Sequence, residues 1–237
     1  MKETSSRALP EQLFDGTGLD RRTRRTREAL MRALIALLQE KPLTAITVTE
    51  LTTLADANRA TFYTHYQDIF DMYEHLQDYL CQTCRAMVDT RGEELAHGQY
   101  RGLIGDIYHY LDENEEISNI VFSKDGDNSF FTAILAVIRE ACMRNADVFN
   151  TISGQLKARG LVGPDVEQAC QTVCNYQFDF IAGGAVSVLQ GWILGGRKES
   201  VELMIAVTNN SIKSLNPDGD YRKVAAVAEQ LLPKQAE

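Results

Sequence analysis

The first twenty residues lack any apolar run: Met1 to Asp20 carries Lys2, Glu3, Arg7, Glu11 and Asp15. No secretory leader is read there, and the product is expected to stay in the cytoplasm. Cysteine is sparse and odd in number, five in 237 residues, which argues for reduced thiols and against a disulfide framework. A stretch long enough to span a bilayer is also missing. Phe180 to Gly196, FIAGGAVSVLQGWILGG, holds no charge, but it falls short of the ~20 apolar residues a span requires, carries several glycines and follows Asp179 directly. A helix apolar all round and rich in small residues is expected to lie buried between other helices. There is no Gly-rich phosphate loop, no Gly-x-Ser-x-Gly elbow and no His-Glu-x-x-His, so nothing points to an enzyme and no cofactor is implied. Cys81-Gln-Thr-Cys84 has the spacing of a metal or redox pair, with His75 and His109 as conceivable further ligands. A usual zinc site wants four compact ligands, no second close Cys/His pair exists, and no metal site is assigned. Cys170 and Cys174 lie one helical turn apart and read as small hydrophobes.

What is present is an ordinary globular composition, 44% hydrophobic and 24% charged, with a net charge of -9. That charge is unevenly spread. Through Tyr66 there are 10 Lys/Arg against 8 Asp/Glu, and beyond it 14 against 25. No two-residue alternation competes with the helical periodicities, so the fold class is all-α. Residues 1–20, with Pro10, Gly16 and Gly18, read as a loose arm. Asp20 can cap a first long helix with Leu30, Ala33, Leu34, Leu37 and Leu38 at helical spacing, ending before Pro42. Its first turns hold Arg21, Arg22, Arg24, Arg25, Arg27 and Arg32 with only Glu28 opposing.

The organising stretch is Thr47 to Tyr66, TVTELTTLADANRATFYTHY. Thr47 and Glu50 have the form of a capping box that starts a short helix. Asp56 and Asn58 side chains compete for the local backbone, which makes 55–58 the turn. Asn58 then caps a second helix in which Phe62 and Tyr66 pack inward, leaving Arg59, Thr61, Tyr63, Thr64 and His65 outward. Any two short amphipathic helices can present such a pattern. The segment NRATFYTHYQDIFDMY, however, closely resembles the recognition helix and following helix of the TetR family of bacterial transcription regulators, matching its pattern at Asn58, Arg59, Thr61, Phe62, Tyr63, His65 and Tyr66. Many members have a phosphate-touching lysine near the start of the next helix. Here the position is Ile69, as in a branch with Asp-Ile-Phe/Tyr-Asp.

The resemblance implies a helix-turn-helix DNA-binding domain over 21–66 and a helical ligand-binding and dimerisation domain over 67–237. Arg59, Ala60, Thr61 and Thr64 are then expected at base edges. Thr47, Thr49, Asn58, Tyr63 and His65 are expected at phosphates, and the basic run, Arg22 and Arg25 included, beside the groove. Further helices are read at 69–87, on Leu103, Ile104, Ile107, Tyr108 and Leu111 as far as Asn114, on Phe130, Phe131, Ile134, Leu135 and Ile138, and from Val166 after Pro164. In the resembled family the last two helices pair with a second copy, here roughly 165–194 and 198–215. Gly183-Gly184, Trp192 and Gly196 followed by Ser200-Val201-Glu202 resemble one branch's C-terminal domain. Tyr108, Phe122, Phe131, Tyr176 and Trp192 are candidates to line a small-molecule pocket. The implied function is a dimeric regulator, expected to be a repressor, on a palindromic operator and modulated by a small-molecule effector. The alternatives are a helical dimer acting mainly through protein partners and a thiol- or metal-responsive regulator.

Overall fold

The computed structural model of the chain describes residues 21–122, 129–144, 147–215 and 222–232, so the arm expected at 1–20 lies outside the described residues. Among the described residues all regular structure is helical: α1 Arg21–Glu40, α2 Val48–Leu54, α3 Arg59–Tyr63, α4 Ile69–Thr90, α5 Gly92–Ala96, α6 Arg101–Glu113, α7 Glu115–Val121, α8 Ser129–Arg144, α9 Asp147–Ala158, α10 Pro164–Leu194, α11 Val201–Leu215 and α12 Arg222–Gln230. Contacts divide the chain into two compact units. One comprises residues up to Arg85 together with Tyr110–Ile134, the other Ala86–His109 with Leu135 onward. None of these boundaries falls at the expected functional division after Tyr66.

In the first unit α1 packs against α2 and α7, and α2 against α3. Of the stripe read on α1, Leu30, Ala33, Leu34 and Leu37 are buried and Leu38 is half-buried, and Met31 and Ile35 join the same core. Glu40 ends the helix two residues before Pro42, whose ring would clash with a continuing turn. The start of α2 follows the Thr47 cap, whose hydroxyl oxygen accepts from the Glu50 amide at 3.2 Å. The reciprocal half of the expected capping box does not form, because the Glu50 carboxylate instead takes the Lys41 ammonium. A full opposite charge is a stronger partner than one amide. Asp68 caps α4, accepting from the Asp71 amide at 2.9 Å, while Asp71 accepts from the Gln67 amide at 2.7 Å.

The second unit is built on α10. Pro164 occupies its first turn, and after Leu194 the chain leaves the helix through Gly195 and Gly196, whose φ of +87° is available to glycine at little cost. The Arg197 amide closes that end on the Trp192 carbonyl at 2.9 Å. Ile152 and Leu156 of α9, Val166, Ala169, Cys170, Val173 and Cys174 of α10, and Ala225 and Ala228 of α12 form one buried cluster. A smaller one joins Val88, Leu95 and Leu103. Arg91 ties α5 to α6, with Nε and Nη2 on Asp106 at 2.8 and 2.9 Å and Nη1 on Glu94 at 2.8 Å. Gly102 sits where a Cβ would lie 2.2 Å from the Glu94 carboxylate.

Two expectations are corrected. Helices α5, α7, α9 and α12 were not legible. Asn114, read as a stop, both closes α6 by donating to the Tyr110 carbonyl at 2.8 Å and begins α7. The run from Phe180, expected to be buried on all sides, is covered by its own chain on one face only. Leu189, Trp192 and Ile193 are buried, whereas Phe180 is 70% exposed and Gly183, Gly184 and Gly191 are open. Among the described residues no helix is long and apolar enough to cross a membrane.

Phe62 is 0% exposed and is the only buried side chain that α3 contributes. Phe62→Ala is expected to lower the unfolding free energy by about 3–5 kcal/mol. Leu54→Ala, at a position 55% exposed, should stay within about 0.5 kcal/mol. Urea denaturation followed by circular dichroism separates the two.

Candidate nucleic-acid interface

The residues from Thr47 to Tyr66 fold as two short helices around a tight turn. Asp56 takes the left-handed conformation at φ +49°, and the Ala57 amide reaches back to the Thr52 carbonyl at 3.0 Å. Asp is among the few non-glycine residues that tolerate that region. The Asn58 carboxamide oxygen accepts from the Ala60 amide at 2.8 Å, which starts α3 and leaves its NH2 pointing away from the cap. Phe62 and Tyr66 turn inward, at 0% and 3% exposure. Asn58, Arg59, Ala60, Tyr63 and Thr64 are exposed, while Thr61 and His65 are half-buried.

The outward groups are not equally free. Thr64 Oγ1 donates to the Thr61 carbonyl at 2.6 Å, so its proton is committed to its own helix and the hydroxyl faces DNA as an acceptor only. Thr47 spends one lone pair on its cap and keeps its proton. Thr49 is exposed, and its carbonyl receives the Thr53 hydroxyl at 2.7 Å. Arg59 Nη2 donates to the Tyr63 hydroxyl at 3.2 Å, and the guanidinium carbon lies 5.6 Å from that ring's centroid.

The basic run on α1 is only partly available. Arg21, Arg22, Arg24 and Arg25 are exposed. Arg32 is held by Glu28 at 3.1 Å, an i,i+4 pair legible in the sequence. Arg27 lies over the Tyr66 ring at 6.0 Å, and Tyr66 in turn meets His75 edge-on at 5.4 Å. These contacts place the start of α1 beside the end of α3. They join positions across two loops, and no local pattern announces them. Ile69, where many TetR members carry lysine, is 5% exposed and belongs to the core.

The aromatic pocket candidates differ in their surroundings. Tyr108 and Trp192 touch at 5.4 Å, but the Tyr108 hydroxyl is bonded to Thr208 Oγ1 at 2.9 Å and Trp192 Nε1 donates to the Glu199 carbonyl at 3.0 Å. They are buried core with their polar ends satisfied. Phe122 is buried in the other unit. The Phe131 side chain lies outside the described residues. Tyr176 stands 73% exposed on α10, one turn before Phe180. That face flanks a groove of about 590 Å³ between α10 and α11, lined by Asp179, Phe180, Gly183, Gly184, Val188, Thr208, Ile212 and Leu215 among others. Leu203, Val207 and Leu215 add exposed apolar surface on α11.

The thiols of the described residues are buried or half-buried. Cys84 is buried and Cys81 half-buried on α4. Burial raises Cys81 and Cys170, and burial with the neighbouring Cys170 pushes Cys174 up to about 11. Among the described residues no group of three His, Cys, Asp or Glu is placed to hold a metal ion.

Residues 99–214 match a TetR-type family described as the C-terminal region of a transcriptional regulator. The match runs from just before α6 almost to the end of α11 and leaves α1 to α5 and α12 outside it. The uncharacterised HTH-type transcriptional regulator YxbF of Bacillus subtilis (strain 168) is 36% identical over 84 residues, 35% of this chain. Those residues are 21% of the relative, so the chain spans about a fifth of its length. The fatty acid degradation regulator FadR from Bacillus halodurans is similar in fold at a TM-score of 0.50 and 12% identity, over 79% of this chain and 94% of that one. The matched region is similar to the C-terminal region of TetR-type regulators, and among the described residues the fold is all-helical, similar to that structural neighbour.

His65 gives this region a dependence on pH. Burial first, and Arg27 second, hold its imidazole below the usual value of about 6.5. In the window just below that value the unfolded chain binds more protons than the folded one, so stability rises with pH there and is lost on acidification. Thermal melts at about pH 7.5 and pH 5.5 are expected to show a smaller difference for His65→Gln than for the unaltered chain. An equal difference would remove His65 as a source.

Proposed function

We propose that this protein is a TetR-like transcriptional regulator, a repressor that binds a palindromic operator as a homodimer and is released by a small-molecule effector. The observation that carries the reading is the division of α3: Phe62 wholly buried, Arg59, Ala60, Tyr63 and Thr64 exposed on a helix set by its turn and its cap. A helix anchored by one face can lay the other in a major groove, where donors and acceptors identify each base pair.

Within that reading Arg59 and Ala60 contact base edges, the arginine by a bidentate bond to guanine and the alanine by letting the backbone approach. Thr61 and Thr64 assist at the same edges. Thr47, Thr49, Asn58, His65, Arg22 and Arg25 contact phosphates, fixing register without reading sequence. The second copy is assigned to the open α10 and α11 face, where Tyr176, Phe180, Leu203, Val207 and Leu215 leave unusual apolar area in water. A two-fold dimer then presents two α3 helices to half-sites about 34–36 Å apart, or a multiple of that. An effector that favours another spacing of the heads lowers operator affinity by the ratio of its affinities for the two states. The effector is carried over from the TetR resemblance alone.

Sequencing DNA enriched from a random library by the purified protein should return a palindrome. On that site Arg59→Ala is expected to cost about 1–3 kcal/mol and to relax base choice at one position per half-site. An equal loss on scrambled DNA in gel-shift titrations would overturn the base-reading role. Phe180→Glu should convert dimer to monomer in sedimentation experiments, and a dimer that persists would place the interface elsewhere.

A further inference from the structure

Tyr63 stands one helical turn from Arg59 on the exposed side of α3, and the two are joined twice, by the Nη2 to hydroxyl bond of 3.2 Å and by the guanidinium lying 5.6 Å from the ring centroid. The ring is itself fixed from below. It meets the Phe62 ring edge-on at 5.3 Å and an interplanar angle of 84°, and Phe62 is wholly buried. A continuous path therefore runs from the core through Phe62 and Tyr63 to the head of an otherwise flexible arginine.

We propose that Tyr63 is a positioning residue for sequence readout, acting through Arg59, in place of the phosphate contact expected of it. The inference rests on the DNA-binding reading given above. An exposed arginine has many rotamers, and most of them point the guanidinium away from any base edge it could read. Binding must discard them, and ordering one such side chain costs up to roughly tenfold in affinity. Among the described residues, the partner that holds Arg59 is a neutral phenol and not a carboxylate. A carboxylate would occupy the fork and cancel its charge. The phenol takes one N–H and leaves the remaining donors and the full charge for a guanine edge. The tyrosine thus pays part of the ordering cost in advance and does so only for DNA that uses Arg59.

A direct phosphate contact and this role make opposite forecasts. Lost phosphate contact weakens all DNA alike, because phosphates carry no sequence information. Loss of positioning weakens only DNA on which Arg59 makes its base contact. The test uses the full chain and the DNA it enriches from a random library. Tyr63→Phe keeps the ring and removes the hydroxyl, and circular dichroism melts establish that it folds. Its affinity for the enriched site is expected to fall roughly three- to tenfold, with scrambled DNA unchanged. In an Arg59→Ala background the same substitution should have no further effect. A second enrichment with Tyr63→Phe should relax the base positions that Arg59→Ala relaxes and no others.

An equal loss on both DNAs that persists without Arg59 would overturn the proposal and leave Tyr63 as a phosphate contact. No loss on either DNA would overturn it too. Recovery of no enriched sequence by the unaltered chain would instead sink the DNA-binding reading on which the proposal stands.

Discussion

A five-residue helix cannot persist alone in water, since nucleating a turn fixes several dihedrals for a single hydrogen bond. Helix α3 exists because Phe62 is driven into the core and holds it there, a burial that contributes about 1.5–3 kcal/mol. Every property of the exposed face depends on that anchor. The Asn58 cap decides where α3 begins, Asp56 decides the angle at which the chain enters it, and Phe62 decides which side is left for a partner. The stacking of Arg27 on Tyr66 extends the same logic to α1, so the basic helix is referenced to the core and not merely near it.

Electrostatics in this region are more selective than the count of arginines suggests. Glu28 draws Arg32 along α1, and Glu50 draws Lys41 toward α2, so two of the cations serve the fold. Surface pairs of this kind contribute only about 0–1 kcal/mol each. Their larger effect is to remove charge from the pool that a phosphate backbone could neutralise. The exposed arginines that remain are clustered at the beginning of α1.

Local chemistry was legible in the residues, and longer-range choices were not. Thr47, Asn58 and Asp68 were readable as caps because a cap and its target lie within three residues. The other half of the Thr47 box was not, because Lys41 competes for Glu50 from across a loop. Helix α12 escaped notice because its buried positions are Ala225 and Ala228, whose small side chains make a weak periodic signal. The stretch from Phe180 misled for a different reason. Uniform hydropathy says that a helix avoids water, without saying which side its own chain covers. Aromatic type is equally mute: Tyr108 and Tyr176 are the same residue, one locked to Thr208 in the core and the other standing outside.

Helix α12 lies beyond the family match, yet it completes the roof over Cys170 and Cys174. Burial in that cluster, which Ala225 and Ala228 help to form, holds both thiols above the ordinary cysteine range and so lowers their thiolate fraction. Their sulfur chemistry is therefore a built-in gauge of whether α12 is seated. Any process that lifts it, from proteolysis near the C-terminus to thermal fraying, would announce itself as alkylation at two positions that the intact protein hides.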